Sequence, residues 1–542
     1  MIFLLKLYLD LMKKNVVTAQ INASPWIKPL LLIIGFSFTV YFINRWIDSL
    51  LVQANLESVF YFFFNKDVGT LTNTLGGLGE LVTSILGIEI TVVAIIVQLA
   101  ANKYSSKIMD LFVTDKTNIS VIGLFIITGV NTILVTNTIR SDFVTLYSVG
   151  FNLLLIIFSL VIVLPHFNYV FNFLRPNNFL SYVQIRSIKI IDAVISGKET
   201  DLIKAKDELT QNINFVGDIA LNSVYQGDRA VTLLCINTLR EIIEEYLGRK
   251  SQLPEEWFKL SGKEYFDPDF SSYSQYVMNQ IEEQKVLIER KIFGLLELVF
   301  NNSRLTLRDV ASGVLLNSEL IAIKAIHIKD KGALTCAFQY FNSYLRISIR
   351  EKDPRSAFNT LEHYRIVGEE LLIENPIDVE KVAFYFRYYG QEANKNQVLF
   401  ILETAAHDLC RLNEIAYDLK VPNYKTLLMQ FLQLDEPIEE SKGKGLDTKE
   451  ISLIGVRIAQ VKLAGYYLLK GEKELARIIY QDMTVEPMSR IEKIKDIIFN
   501  TTNEEFWEIT PRGINFYYVP PERREALREF FSWFEENKIK NI

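Results

Sequence analysis

Residues 81–100, LVTSILGIEITVVAIIVQLA, decide how this chain is read. Twenty residues of helix rise about 30 Å, enough to cross the hydrocarbon core of a bilayer. The stretch is not uniformly apolar, however. Glu80, Ser84, Gly87, Thr91, Ala94, Gln98, Asn102 and Ser105 recur at steps of four and three. That rhythm lines all eight along one side of a helix. Glu89 falls on the opposite face, near mid-span. Small and polar side chains in a membrane helix let neighbouring helices approach closely or line a wet path. The seam is therefore expected to be a packing seam inside a bundle or, failing that, the wall of a pore.

Outward from this helix, three further segments are long and apolar enough to span. The four predicted spans are residues 26–45, 81–101, 119–138 and 144–165. Trp26, Tyr41 and Trp46 sit where interfacial aromatic anchors belong. Lys6, Lys13, Lys14 and Lys28 lie before or at the edge of the first span, and Lys103, Lys107 and Lys116 between the second and third. Arg175, Arg186 and Lys189 follow the fourth, whereas the opposite loops hold only Arg45, Lys66 and Arg140. The positive-inside rule then predicts an inner (cytoplasmic) membrane protein with both termini in the cytoplasm. Residues 1–25 lack a cleavage site of signal-peptide type and are expected to form an interfacial amphipathic helix. Residues 59–77, with a short aromatic cluster, are expected to be a surface loop or a re-entrant piece.

The rest of the chain has a different character. Residues 1–179 hold 11 Lys/Arg against 9 Asp/Glu and the remainder 47 against 55, so the net charges are +2 and −8. No basic stripe supplies phosphate contacts, so nucleic acid is not an expected partner. Cys235, Cys336 and Cys410 are scattered within helical patterns, as buried thiols in a reducing compartment would be. Apolar spacing of three and four predicts helices over 186–194, 231–247, 282–300, 308–325, 333–349, 357–373, 379–389, 396–419, 449–480 and 522–538. The fold class is thus all-α: a four-span transmembrane domain (26–179), then a cytoplasmic helical bundle or irregular solenoid (180–440) and a C-terminal helical subdomain (446–542). A Lys- and Gly-containing linker near residue 443 separates the last two. Residues 506–519 read as a small β-hairpin turning at Pro511, Arg512 and Gly513.

Candidate chemistry is sparse. No phosphate loop, dinucleotide fingerprint or nucleophile elbow is present, so no cofactor and no enzymatic activity is expected. The Gly76-Gly77 pair reads as a flexible turn. His407 and Cys410 are close in sequence but have no second pair to complete a metal site. Glu241, Glu244 and Glu245 read as a solvated helix face. Glu89 is different, because an ionised carboxylate at mid-membrane costs at least a few kcal/mol. It must be protonated, hydrogen-bonded to groups such as Asn131, Thr132 or Asn152, or wet. His166, placed just past the fourth span, is expected to cap the preceding carbonyls or to act as a pH sensor. Two functions follow. In one, identical subunits assemble in the lipid and contribute the second helix to an ion-conducting or transporting pore, with the helical domain regulating it. In the other, the spans anchor a scaffold that recruits cytoplasmic protein partners.

The string Val97-Gln98-Leu99-Ala100-Ala101-Asn102-Lys103-Tyr104-Ser105-Ser106-Lys107 resembles a signature of a bacterial family known only as predicted membrane proteins of unknown function. In that family a membrane helix ends in Gln-Leu-Ala-Ser, followed by Tyr/Phe-Ser-Pro-Arg. Ile122-Gly123-Leu124-Phe125-Ile126 is similar to its Gly-containing apolar helix, and His166 to a histidine at the exit of its last span. Val216-Gly217-Asp218-Ile219-Ala220-Leu221-Asn222-Ser223, with Asp228 and Ala230, is similar to its soluble helix. Ser106 and Lys107 replace the family's proline and arginine, and Gly227-Asp228-Arg229 its Asn-Asp-Pro step. The resemblance covers about residues 25–245 and implies an architecture rather than an activity.

Overall fold

A computed structural model describes residues 27–53, 67–140, 145–265, 267–435, 449–506 and 512–540. The expected interfacial helix and the linker near residue 443 lie outside them. The chain divides into two compact units, 1–179 and 180–542.

The first unit contains α1 (Ile27–Gln53), α2 (Val68–Lys103), the short α3 (Lys107–Val113), α4 (Lys116–Thr138) and α5 (Leu146–Phe173). These helices overrun the predicted spans. Most of the described part of the segment expected as a loop is instead the start of α2, which is helical from Val68 and capped by Asp67 through the Thr70 N–H at 2.8 Å. Gly76 and Gly77 are therefore helical rather than a turn.

α4 is the hub of this unit, packing on α1, α2 and α5. Two glycines set the approach of its neighbours. A Cβ at Gly79 of α2 would meet Thr132 Cγ2 at 3.0 Å, and one at Gly123 of α4 would meet Ile33 Cδ1 at 3.1 Å. Asp115 caps α4 by accepting from the Thr117 and Asn118 N–H groups. α5 takes its cap from another helix: Asp48 of α1, 3% exposed, accepts from Tyr147 N at 2.9 Å, Ser148 N at 3.3 Å and the Ser148 hydroxyl. Acceptors from α1 at the start of α5 tie the two helices together.

Among the described residues, five helices are long and apolar enough to span. In the first four only 17–39% of the most apolar window is buried by the chain, whereas in the fifth, Arg308–His327, 61% is buried. Arg308–His327 packs within the second unit against Arg229–Arg249 and Pro354–Glu374. Its hydropathy is that of a core helix.

The second unit is a succession of helices from Leu202–Tyr225 to Pro521–Lys540, most of the long ones packed on a sequence neighbour and often on the helix two further along. One turn recurs between them. Gly227, Lys285, Lys329, Lys352, Gln397, Lys420 and Gly471 all take φ between 52° and 83°. The residue after each returns its N–H to a carbonyl five residues back, as Asp228 does to Ser223, Asp330 to Ala325 and Asp353 to Ser348. These three aspartates then cap the following helix through Val231, Ala333 and Ser356. The same turn breaks two of the predicted helices, 282–300 at Lys285 and 449–480 at Gly471. Buried cations tie the remaining loops down. Arg512 pairs with Asp408 and Glu362, and Lys291 with Asp267 and Asp269. The expected hairpin does not form strands among the described residues, where one isolated antiparallel bridge, Glu505–Ile514, is found instead; residues 507–511 lie outside them.

Candidate functional site

The seam on α2 does not face the bundle. Glu80, Ser84, Gly87, Thr91, Ala94, Gln98 and Asn102 are all exposed on the chain, and Ser105 alone is buried, in the turn after the helix. The face that packs carries Leu75, Val82, Glu89, Val93 and Val97 instead. A packing seam inside this chain's own bundle is thereby ruled out. A Cβ added at Gly87 would meet nothing within 4 Å, so no close helix approach requires that glycine among the described residues. Thr91 satisfies its hydroxyl on Gly87 O at 2.8 Å. Leu81, Ile88, Ile95 and Leu99 flank the seam and are exposed as well. From Glu80 to Asn102 the helix rises about 33 Å, close to the roughly 30 Å of a hydrocarbon core.

Glu89 lies diametrically opposite and is buried, 3% exposed. Its partner is neither Asn131, Thr132 nor Asn152. Thr132 and Asn152 bond to each other at 3.0–3.2 Å, Thr128 bonds to Ser159 at 2.9 Å, and both amide atoms of Asn131 lack a hydrogen-bond partner among the described residues. Glu89 Oε1 instead meets His166 Nδ1 at 2.6 Å. His166 is not at a helix exit: α5 continues to Phe173, and the imidazole is 3% exposed. Pro165, inside α5, removes one backbone hydrogen bond beside it. The ring stacks on Tyr169 at 6.4 Å, and the Tyr169 hydroxyl donates to Asp115 Oδ1 at 2.8 Å. The pair is thus oriented from a helix start on one side and fixed to α2 on the other.

A cavity of about 280 Å³ opens along this pair. α2 contributes Glu89, Ile90, Val93, Ala94, Val97 and Gln98, and α3 contributes Met109, Phe112 and Val113. Asn118 and Ile122 of α4 and His166 of α5 complete it. The walls are aliphatic and aromatic, whereas Glu89 Oε2, His166 Nε2 and Asn118 Oδ1 are buried without a hydrogen-bond partner among the described residues. Ala94 and Gln98 belong to the exposed seam, so the cavity runs from the seam's edge to the buried pair. A small apolar chamber with a few convergent polar groups has the character of a ligand site.

The other residues singled out by sequence are structural. His407, 8% exposed, stacks on Phe516 at 4.3 Å; burial first, then the Lys462 and Arg512 charges, hold its pKa well below the usual range. All three cysteines are buried free thiols, with Cys410 pushed up to about 12, chiefly by burial. Glu241 and Glu244 pair with Arg240, and Glu245 with Arg249, on a helix surface. The Glu89–His166 pairing escapes a reading in which the fourth span stops at residue 165. The signal was present: His166 directly follows the predicted fourth span, and a mid-membrane carboxylate needs a partner.

No curated protein and no solved structure gives a significant match to the chain. Residues 22–216, which include the seam, the cavity and the pair but not 217–245, match the model of a family described as "Predicted membrane protein (DUF2254)".

Proposed function

We propose that this membrane protein assembles with copies of itself through the outward seam of α2 and conducts an ion or small solute along it. The observation that carries this reading is the exposure of Ser84, Gly87, Thr91, Ala94 and Gln98 on a helix long and apolar enough to span. Polar groups such as Gln98 facing lipid tails go unsatisfied, whereas a second copy or water satisfies them. Four spans are too few to enclose a conduit, but a ring of identical subunits places one polar face from each at the axis. The buried Glu89–His166 pair is then a protonatable element beside the path, reached through the cavity. The lysine asymmetry supports an orientation with both termini in the cytoplasm. The competing scaffold function rests on the second unit, where Ile373, Ile377 and Phe384 are exposed.

Flux and native mass of the reconstituted protein test this. Gly87→Leu is the informative variant, because a Cβ there meets no atom within 4 Å. The expected result is loss of assembly and of flux with the fold intact, while Glu89→Gln keeps assembly and alters proton or cation flux. A wild-type protein that is monomeric and conducts nothing would leave the scaffold function standing.

A further inference from the structure

In the second unit two histidine–glutamate pairs join Arg308–His327 to Pro354–Glu374, and they differ in one respect. Glu319 of the first helix meets His363 of the second at 2.7 Å, and downstream on both His327 meets Glu370 at 2.6 Å. The helices therefore run in the same direction, and their C-terminal ends lie side by side. The upstream pair is largely enclosed, at 18% and 8%, and has no third donor. The downstream pair does have one. Glu374 stands one helical turn after Glu370, on the same face. One ring nitrogen of His327 and one oxygen each from Glu370 and Glu374 lie within 4.8 Å of one another, which no other such group among the described residues does. Three donors held tetrahedrally at about 2.0–2.2 Å from one ion sit about 3.4 Å apart. The set reaches that spacing through shifts of about 1.5 Å or less, small against the freedom of an exposed glutamate.

The electrostatics of the place favour a cation. Both carboxylates occupy the last turn of their helix, where unpaired carbonyls already make the end negative and further anions are unfavourable. That turn holds no basic residue. Among the described residues Glu370 pairs with His327 alone, and Glu374 pairs with no lysine or arginine. The donors then select the ion. An imidazole with two carboxylates suits a first-row transition ion, whereas Mg²⁺ and Ca²⁺ take oxygen shells. His327 and Glu374 are exposed, so a remaining coordination position is open to water. We propose that His327, Glu370 and Glu374 bind a divalent transition ion of the Zn²⁺ class, which clips together the ends of two helices that are not consecutive in the chain.

The test is calorimetric titration of the full-length protein in detergent micelles with Zn²⁺, after a chelator has stripped the sample and been removed. The expected result is saturable Zn²⁺ binding that excess Mg²⁺ does not displace. His327→Ala and Glu374→Gln should each weaken it by at least about ten-fold, the loss seen when even a supporting residue of a metal site is removed. Glu374→Gln is the sharper variant. Glu374 is exposed and the amide has the same shape, so the fold is not at stake, and a His327–Glu370 ion pair without a metal would not register the change. Absence of Zn²⁺ binding by the wild-type protein, or binding that is undiminished in either variant, would overturn the proposal.

Discussion

The pairing of Glu89 with His166 makes a quantitative prediction about stability. The contact is 2.6 Å long and both side chains are nearly inaccessible, at 4% and 1%. Neutral hydrogen bonds between membrane helices contribute on average about 0.6 kcal/mol and at most about 1.7, and charge-assisted bonds are roughly twice as strong. The coupling between the two residues is therefore expected at about 1–3 kcal/mol. Glu89→Leu alone should cost more, about 3 kcal/mol, because it also leaves the buried imidazole without its partner. His166→Phe should behave likewise by stranding the carboxylate. The double variant Glu89→Leu/His166→Phe should be less destabilised than the sum of the singles by the coupling energy, since two apolar side chains then fill the space. Reversible unfolding of the four proteins in mixed micelles reads this directly. Additivity within about 0.5 kcal/mol would mean that the two residues do not interact, and the site would lose its central contact.

Two predictions concern the second unit. Asp435 shares Arg457 with Asp482 and Glu486, and its pKa is pushed up to about 6, first by burial and then by the neighbouring carboxylates working against Arg457. A raised acid pKa means that the folded state holds the proton more tightly than the unfolded chain. This contribution is complete below pH 4 and is lost as pH rises through about 6, with a span of about 3 kcal/mol; Asp435→Asn should flatten the melting profile in that window. Lys329 and Lys352 adopt φ of 60° and 52° in the recurrent turn, where a Cβ is unfavourable. Relief of about 1–2 kcal/mol of left-handed strain less about 0.5–1 kcal/mol of glycine entropy means that Lys329→Gly and Lys352→Gly should each stabilise by up to about 1 kcal/mol in thermal unfolding, and a loss of stability would show that the lysine side chains contribute more than their backbone strain costs.

Helix spacing made most of the architecture legible before the structure. The apolar windows located α1, α2, α4 and α5, and three-and-four periodicity located most helices of the second unit. What it missed are features with no hydropathy signal. The turns at Lys285 and Gly471 interrupt patterns whose apolar positions continue in register on both sides. α2 begins well before residue 81 because Thr70, Asn73 and Thr74 lower the hydropathy of helical residues. The end of α5 was obscured by Pro165 and His166, which read as an exit and are in fact interior. That boundary concealed the partner of Glu89. The seam is the converse case: periodicity placed its residues on one face, but only packing decides whether that face looks inward. It looks outward, and Glu89 looks inward, so two features read together from one helix serve different surfaces.

The most direct test of the central claim is aqueous accessibility along α2 in the assembled protein. Single cysteines are introduced at positions 81–99 of a chain freed of Cys235, Cys336 and Cys410, and a membrane-impermeant thiol reagent is applied to the protein in vesicles. The account predicts reaction at Ser84, Gly87, Thr91, Ala94 and Gln98, recurring every three to four residues, and protection at Leu81, Ile88, Ile95 and Leu99. Uniform protection along the whole helix, or reaction on the apolar flank in place of the seam, would contradict it.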